Sequence, residues 1–378
     1  MGDANTASSV GSSAVGQKNI ASGTNSSAFG QSNTASGNSS TAVGRLNIAN
    51  NTNATAMGRS NTASGTNSAA VGSTNKATGN SSAAFGNQNT ANNNFTTAVG
   101  SFNIASGTQS TAVGIQNTAS GTHSTALGRF NTASGPFSSA VGDANRPTGI
   151  QSATFGFNNT ASATNTTAIG QQSTASGAQS IAIGPIATAA AFSSTVVGDN
   201  ARVVATATNG SAYGQNATVL APNGTALGAN SLVQAAAFSS VALGQGSIAT
   251  QPQTVSVGVP GGERRIQNVA PGIFNTDAVN VTQLTTAVAG LQQQITAVQQ
   301  EERRGIAAVA ATATAATPTG PGRTTIGFRG STFHGELGMG VAFKHRLSWT
   351  STPVYISGSY GNGGGTEHVG HLGADFEF

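Results

Sequence analysis

Side chains able to do chemistry are few in this chain and poorly placed to act together. There is no cysteine, and the five histidines are His123, His334, His345, His368 and His371. His368 and His371 have HxxH spacing, but residues three apart on a strand point to opposite faces, so no metal site is expected. Asp375 and Glu377 share a strand face and hint at a carboxylate pair. A polar face turned towards an aqueous lumen explains them better. Arg264, Arg265 and Asp277 read as inter-chain ion pairs rather than a ligand site. No nucleophile, base and oxyanion donor fall together in a plausible pocket, so neither an enzyme nor a cofactor is expected.

The elements that hold these residues announce themselves through glycine. A glycine recurs every 14 residues from Gly16 through Gly30, Gly44, Gly58, Gly72, Gly86, Gly100 and Gly114 to Gly198. The spacing then alternates between 16 and 14 as far as Gly258. Counting each of these glycines as position 0, a large apolar residue precedes it at −1 and a small one, usually Ala, at −2. Asn recurs at +3, Ala at +5, and Gly or Asn at +7. A short fixed period is the mark of a repeat array whose units bury a core only by stacking.

Each unit reads as two short extended pieces separated by two turns, with Gly and Asn supplying the corners. The bulky −1 residue is expected inside, so Phe29, Phe85, Phe155 and Tyr213 read as core, and the small −2 residue as a point of close approach. At about 4.8 Å per coil, the array makes a rod roughly 85 Å long. The two 16-residue spacings suggest local insertions.

Composition agrees with a displayed rod. Only 7% of residues are charged. Up to residue 260 there are seven cations, among them Arg45, Arg59 and Arg129, against Asp3, Asp143 and Asp199. No basic stripe is present, so no nucleic-acid partner is expected. The absence of cysteine suits an extracellular life. No apolar run reaches the length of a membrane helix. Met1 is already in phase with the repeats, so an exported form would need a leader outside this sequence.

Three segments follow the array of residues 1–260. Residues 261–281 break the period with charge and proline. Residues 282–304 read as a coiled-coil stalk, its seam formed by Val281, Leu284, Val288, Leu291, Ile295 and Val298 at heptad spacing. Residues 305–378 alternate apolar and polar over four stretches of about ten residues, the pattern of membrane β-barrel strands. Leu337, Met339, Val341 and Phe343 share one face; Glu336, Gly338, Gly340, Ala342 and Lys344 share the other. Glu301-Glu302 and Arg303-Arg304 then fall at the barrel mouth. Four strands cannot close a barrel, and an open edge in lipid is forbidden. Three chains would supply twelve strands and a three-stranded coil.

With these segments in order, the chain resembles the YadA-like trimeric autotransporter adhesins over essentially its whole length. The residues that carry the resemblance are the head units Thr41-Ala42-Val43-Gly44 and Ser180-Ile181-Ala182-Ile183-Gly184, the neck Arg265-Ile266-Gln267-Asn268-Val269-Ala270 with Thr276-Asp277-Ala278-Val279-Asn280-Val281, and the terminal Phe378. The resemblance implies a mainly β fold: a left-handed parallel β-roll head in a homotrimer, a neck around Arg265, Asn268, Asp277 and Asn280, a short trimeric coiled coil, and a 12-stranded outer-membrane barrel. It implies export through that barrel, with Gly338 and Gly340 lining the lumen, insertion by the barrel-assembly machinery, and a head exposed on the bacterial surface. It also implies attachment to host extracellular matrix or cell-surface molecules, with bacterial self-association in biofilm as the alternative. A soluble ice-binding solenoid fits less well, because no regular Thr-x-Thr ladder is present. Arg45, Leu46, Phe102, Arg129 and Phe130, at positions +1 and +2, are the candidate ligand-contacting residues.

Overall fold

The computed structural model describes residues 2–378, so the phase expected for Met1 lies outside the described residues. The chain divides into two units, one ending at Arg264 and the other starting at Arg265.

The first unit is a parallel β-roll. Each coil contributes a longer strand from −3 to +1, such as Thr41–Arg45, and a two-residue strand at +4 and +5, such as Ile48–Ala49. The longer strands form an 18-strand ladder, and each pairs with the strand one coil away in strict register, Gly44 beside both Gly30 and Gly58. The short strands form a second ladder on the opposite side. It is interrupted at Pro147, which has no N–H to donate, and so divides into sheets of ten and eight strands.

The interior differs from the sequence-based expectation in two ways. First, the small −2 residue is the core: Ala28, Ala42, Ala56, Ala70 and their equivalents are completely buried. The bulky −1 residue points outward, and Phe29, Phe85, Phe155 and Tyr213 are 36–39% exposed. Alternation along a strand establishes that −1 and −2 lie on opposite faces, but not which face is inside. A 14-residue coil is too narrow to enclose an aromatic side chain from every turn, so alanine takes the interior.

Second, the +3 asparagines are interior groups rather than turn residues. Asn19, Asn33, Asn47, Asn61 and their equivalents are fully buried. The left-handed corners fall instead at +2 and +9, for example at Phe102 (φ 59°) and His123 (φ 57°). The asparagines stack into a hydrogen-bonded ladder. The Asn103 side-chain nitrogen lies 2.9 Å from Val99 O, 2.6 Å from Gly114 O and 3.0 Å from Asn89 Oδ1. Its Oδ1 accepts from the Asn117 backbone and side-chain nitrogens, both at 3.0 Å. The Asn amide offers two N–H donors and an acceptor oxygen at once, which lets one side chain bond to both neighbouring coils and to two carbonyls.

The glycine at 0 is explained by the same stacking. Gly44 has φ 118°, and a Cβ there would lie 2.1 Å from the carbonyl oxygen of Gly58.

The ladder ends at Ser173, whose backbone N–H and hydroxyl both donate to Asn159 Oδ1. Later coils place Ala187, Ala201 and Ala217 at +3 and enlarge the interior with Val196, Val203, Val219 and Val233. Without the Asn amide to hold the corner, the Gly184 carbonyl accepts from Ala187 N–H, and the long strand shortens from five residues to three. The two 16-residue coils place their extra residues in the second corner, plugged by the buried Ala207 and Ala237.

The second unit holds an irregular neck, one helix and an antiparallel sheet. The helix, Val281–Ala311, runs past the expected limit of 304. The sheet has four strands in chain order: Thr324–Phe333, Glu336–Arg346, Val354–Asn362 and His368–Phe376. Their lengths of 9–11 residues suit tilted membrane strands. No described helix is long and apolar enough to cross a membrane.

Candidate functional site

Ligand contact by a roll depends on columns, because a given position recurs one coil further on at each turn. Arg45 and Arg129 stand at +1, and Leu46, Phe102 and Phe130 at the +2 corner. Leu46, Phe102 and Phe130 are each close to half exposed. They share one edge of the roll but do not form one patch, since Ser60, Thr74 and Gln88 separate Leu46 from Phe102, and Gln116 separates Phe102 from Phe130. At about 4.8 Å per coil, the two phenylalanines stand roughly 10 Å apart. Arg129 is already engaged. Its guanidinium lies 2.5 Å from Asp143, one coil on in the same column, and 5.1 Å from the Phe130 ring centroid.

The opposite corner, at +9, was not singled out by sequence reasoning. Phe95 and Phe137 are exposed there, and His123 stacks on Phe137 at 4.8 Å with nearly parallel rings. The signal was available, since the same 14-residue phase that marks +2 marks +9.

In the neck, Asp277 pairs with no arginine among the described residues. Its carboxylate accepts the backbone N–H groups of Ile273 and Phe274 at 2.9 and 3.0 Å, and those bonds, the one from Phe274 first, hold it below the usual aspartate range. Arg264 closes the roll by donating to Val257 O at 2.7 Å, to Ser247 Oγ at 2.8 Å and to Gln245 O. Asn268 adopts a left-handed conformation, φ 61°. Arg265 is exposed. Asn280 is the helix N-cap, its side chain accepting from Gln283 N–H at 3.0 Å in a capping box. Gln283 reaches back to both backbone groups of Gly272, tying helix to neck.

The seam residues Val281, Leu284, Val288, Leu291, Ile295 and Val298 are all exposed on the single chain. Further along the helix, Ala307, Ala308 and Ala311 are buried against the sheet. A Cβ on Gly338 would lie 2.2 Å from Ala307 O, and one on Gly340 2.2 Å from Ala311 O. Gly361 and Gly363, which sequence reasoning missed, meet Ala308 and Arg304 in the same way. Arg304 Nε lies 3.1 Å from Glu336.

The opposite face of the sheet is apolar and exposed, with Ile326, Phe328, Leu337, Met339 and Leu372 each at least 64% accessible. Asp375 and Glu377 do not act as a pair: one binds Lys344 at 2.8 Å and the other accepts from the Tyr355 hydroxyl at 2.9 Å. His368 Nδ1 is within hydrogen-bond distance of Tyr360 and Asn362.

Comparison with known proteins matches these units to one family. The YadA head domain repeat is found in ten matches running from residue 21 to residue 259, more than half of the chain. The coiled stalk of trimeric autotransporter adhesins matches residues 265–307. The autotransporter adhesin NhhA of Neisseria meningitidis serogroup B is 32% identical over 110 residues, 28% of this chain and 19% of that protein, so the match spans about a fifth of the relative's length. A crystal structure of the collagen-binding domain of the Yersinia adhesin YadA aligns over 60% of this chain and 85% of its own, at 23% identity and a TM-score of 0.25. The chain belongs to the YadA-like trimeric autotransporter adhesins, a family of adhesive and structural proteins rather than enzymes.

Proposed function

We propose that three copies of this chain assemble about one axis into an outer-membrane adhesin. Its β-roll head, on the bacterial surface, binds host matrix or cell-surface molecules. The observation that carries this reading is that three successive elements are incomplete in one chain. The roll exposes an apolar −1 column, the helix exposes its heptad seam, and the four-strand sheet has two open edges and an apolar outer face. A three-fold axis would complete all three at once, whereas a two-fold axis would give eight strands, a barrel whose interior is filled by side chains alone and which leaves no room for the helices.

The barrel would enclose three helices, each backed by the glycine track of its own sheet, and the same lumen would serve for export of the head. Weak contacts repeated along three rolls gain strength by avidity. The test compares cells displaying the full chain with cells lacking it, on collagen-, laminin- and fibronectin-coated surfaces and on bare ones. Adhesion confined to a coated surface supports the reading. Clumping of cells without preference for any coating would replace it with self-association.

A further inference from the structure

Arg45 and Arg59 occupy the same +1 position on successive coils and are in-register neighbours in the long-strand ladder. Both are exposed. Neighbouring positions of this ladder are about 4.8 Å apart, and like charges so placed repel. The protein shows how the position is normally neutralised: Arg129 and Asp143 stand in the same relation and form an ion pair at 2.5 Å. Arg45 and Arg59 have no such partner, and neither takes part in an ion pair among the described residues. No acidic residue occurs anywhere between Asp3 and Asp143, while Lys18, Arg45, Arg59, Lys76 and Arg129 all lie in that stretch. Trimerisation does not change this. Under three-fold symmetry the coils level with Arg45 and Arg59 are copies of the same acid-free coils.

We propose that the Arg45–Arg59 pair is an anion-binding site for sulfate or phosphate ester groups carried on an acidic polymer. A tetrahedral ester group presents several terminal oxygens, enough to meet both guanidinium forks, while neighbouring groups along the polymer supply further negative charge, and charge-assisted bonds to planar donors are the strong kind. A lone carboxylate, with two coplanar oxygens, can satisfy only one of the two forks. The inference deepens the adhesive reading and rests on it for the trimer, in which three such pairs would stand at one height and bind a polymer multivalently.

The test uses the full-length protein extracted in detergent, with immobilised heparin as sulfated polymer, polyphosphate as phosphate polymer and hyaluronan as a carboxylate-only control. Arg59→Asp converts the site into a copy of the Arg129–Asp143 pair, an arrangement the same roll already accommodates, and is expected to weaken heparin or polyphosphate binding by about tenfold or more. Asp143→Arg builds a second bare pair and is expected to strengthen it severalfold. Binding to heparin alone assigns the ester to sulfate, and binding to polyphosphate alone assigns it to phosphate. Affinities within twofold of the parent for both variants, or hyaluronan bound as tightly as heparin, would overturn the site. Because adhesion of cells to matrix-coated surfaces is scored separately, loss of this inference leaves the adhesive reading standing or falling on its own measurement.

Discussion

At the scale of single residues, the head is held by a column of side-chain amides. Asn103 bonds to two asparagines and two carbonyls, all inside the roll. Asn103→Ala leaves buried donors and acceptors on both neighbouring coils unmatched and is expected to cost roughly 3 kcal/mol. Asn103→Asp keeps the shape but loses the donors and buries a charge, so it should cost more. The contrast is Ser110, equally buried, whose hydroxyl has no hydrogen-bond partner among the described residues. Ala54 fills the same position elsewhere in the array, so Ser110→Ala should change stability by less than about 0.5 kcal/mol. Thermal unfolding midpoints of the three variants decide between a specific ladder and generic packing. The period of these residues was plain in the sequence, but their roles were not. Asn at a suspected corner reads as a turn residue, and nothing in a 14-residue count shows that its amide spans two coils. The same limit inverted −1 and −2, since parity separates two faces without saying which one is inside.

At the scale of elements, the neck and the helix–sheet contact are the joints. The Asp277 carboxylate caps the backbone at Phe274 and Ile273, which lowers its folded-state pKa. A group with a depressed folded pKa contributes stability that is fully present above its unfolded value, about 3.9, and is lost as pH falls through the folded value. The neck should therefore loosen below about pH 4, and Asp277→Ala should remove that acid sensitivity while making the neck looser at neutral pH. Proteolysis at Arg265 across pH reads both effects. In the four-strand sheet, Gly340→His places a side chain where the Ala311 carbonyl stands. It should reduce surface display and the heat resistance of trimers, and unchanged values of both would remove the close-packing account. Element types were legible here because each has its own period: two for the strands, three and four for the helix. The helix end was not, because Ala307, Ala308 and Ala311 continue it without seam residues and pack on the sheet instead.

At the scale of the whole molecule, one chain is an incomplete object. Exposed apolar columns, an unpaired heptad seam and two open sheet edges are each unfavourable in isolation. The sequence carried the stoichiometry through arithmetic on strands and heptads; the structure adds that the −1 column, first read as core, is a third surface left without cover. The most direct test is native mass spectrometry of the full chain extracted in detergent. One chain is 37.0 kDa, so the account predicts a single species of three times that mass, with no monomer until the detergent is made denaturing. A monomer or dimer as the stable species in mild detergent would contradict it.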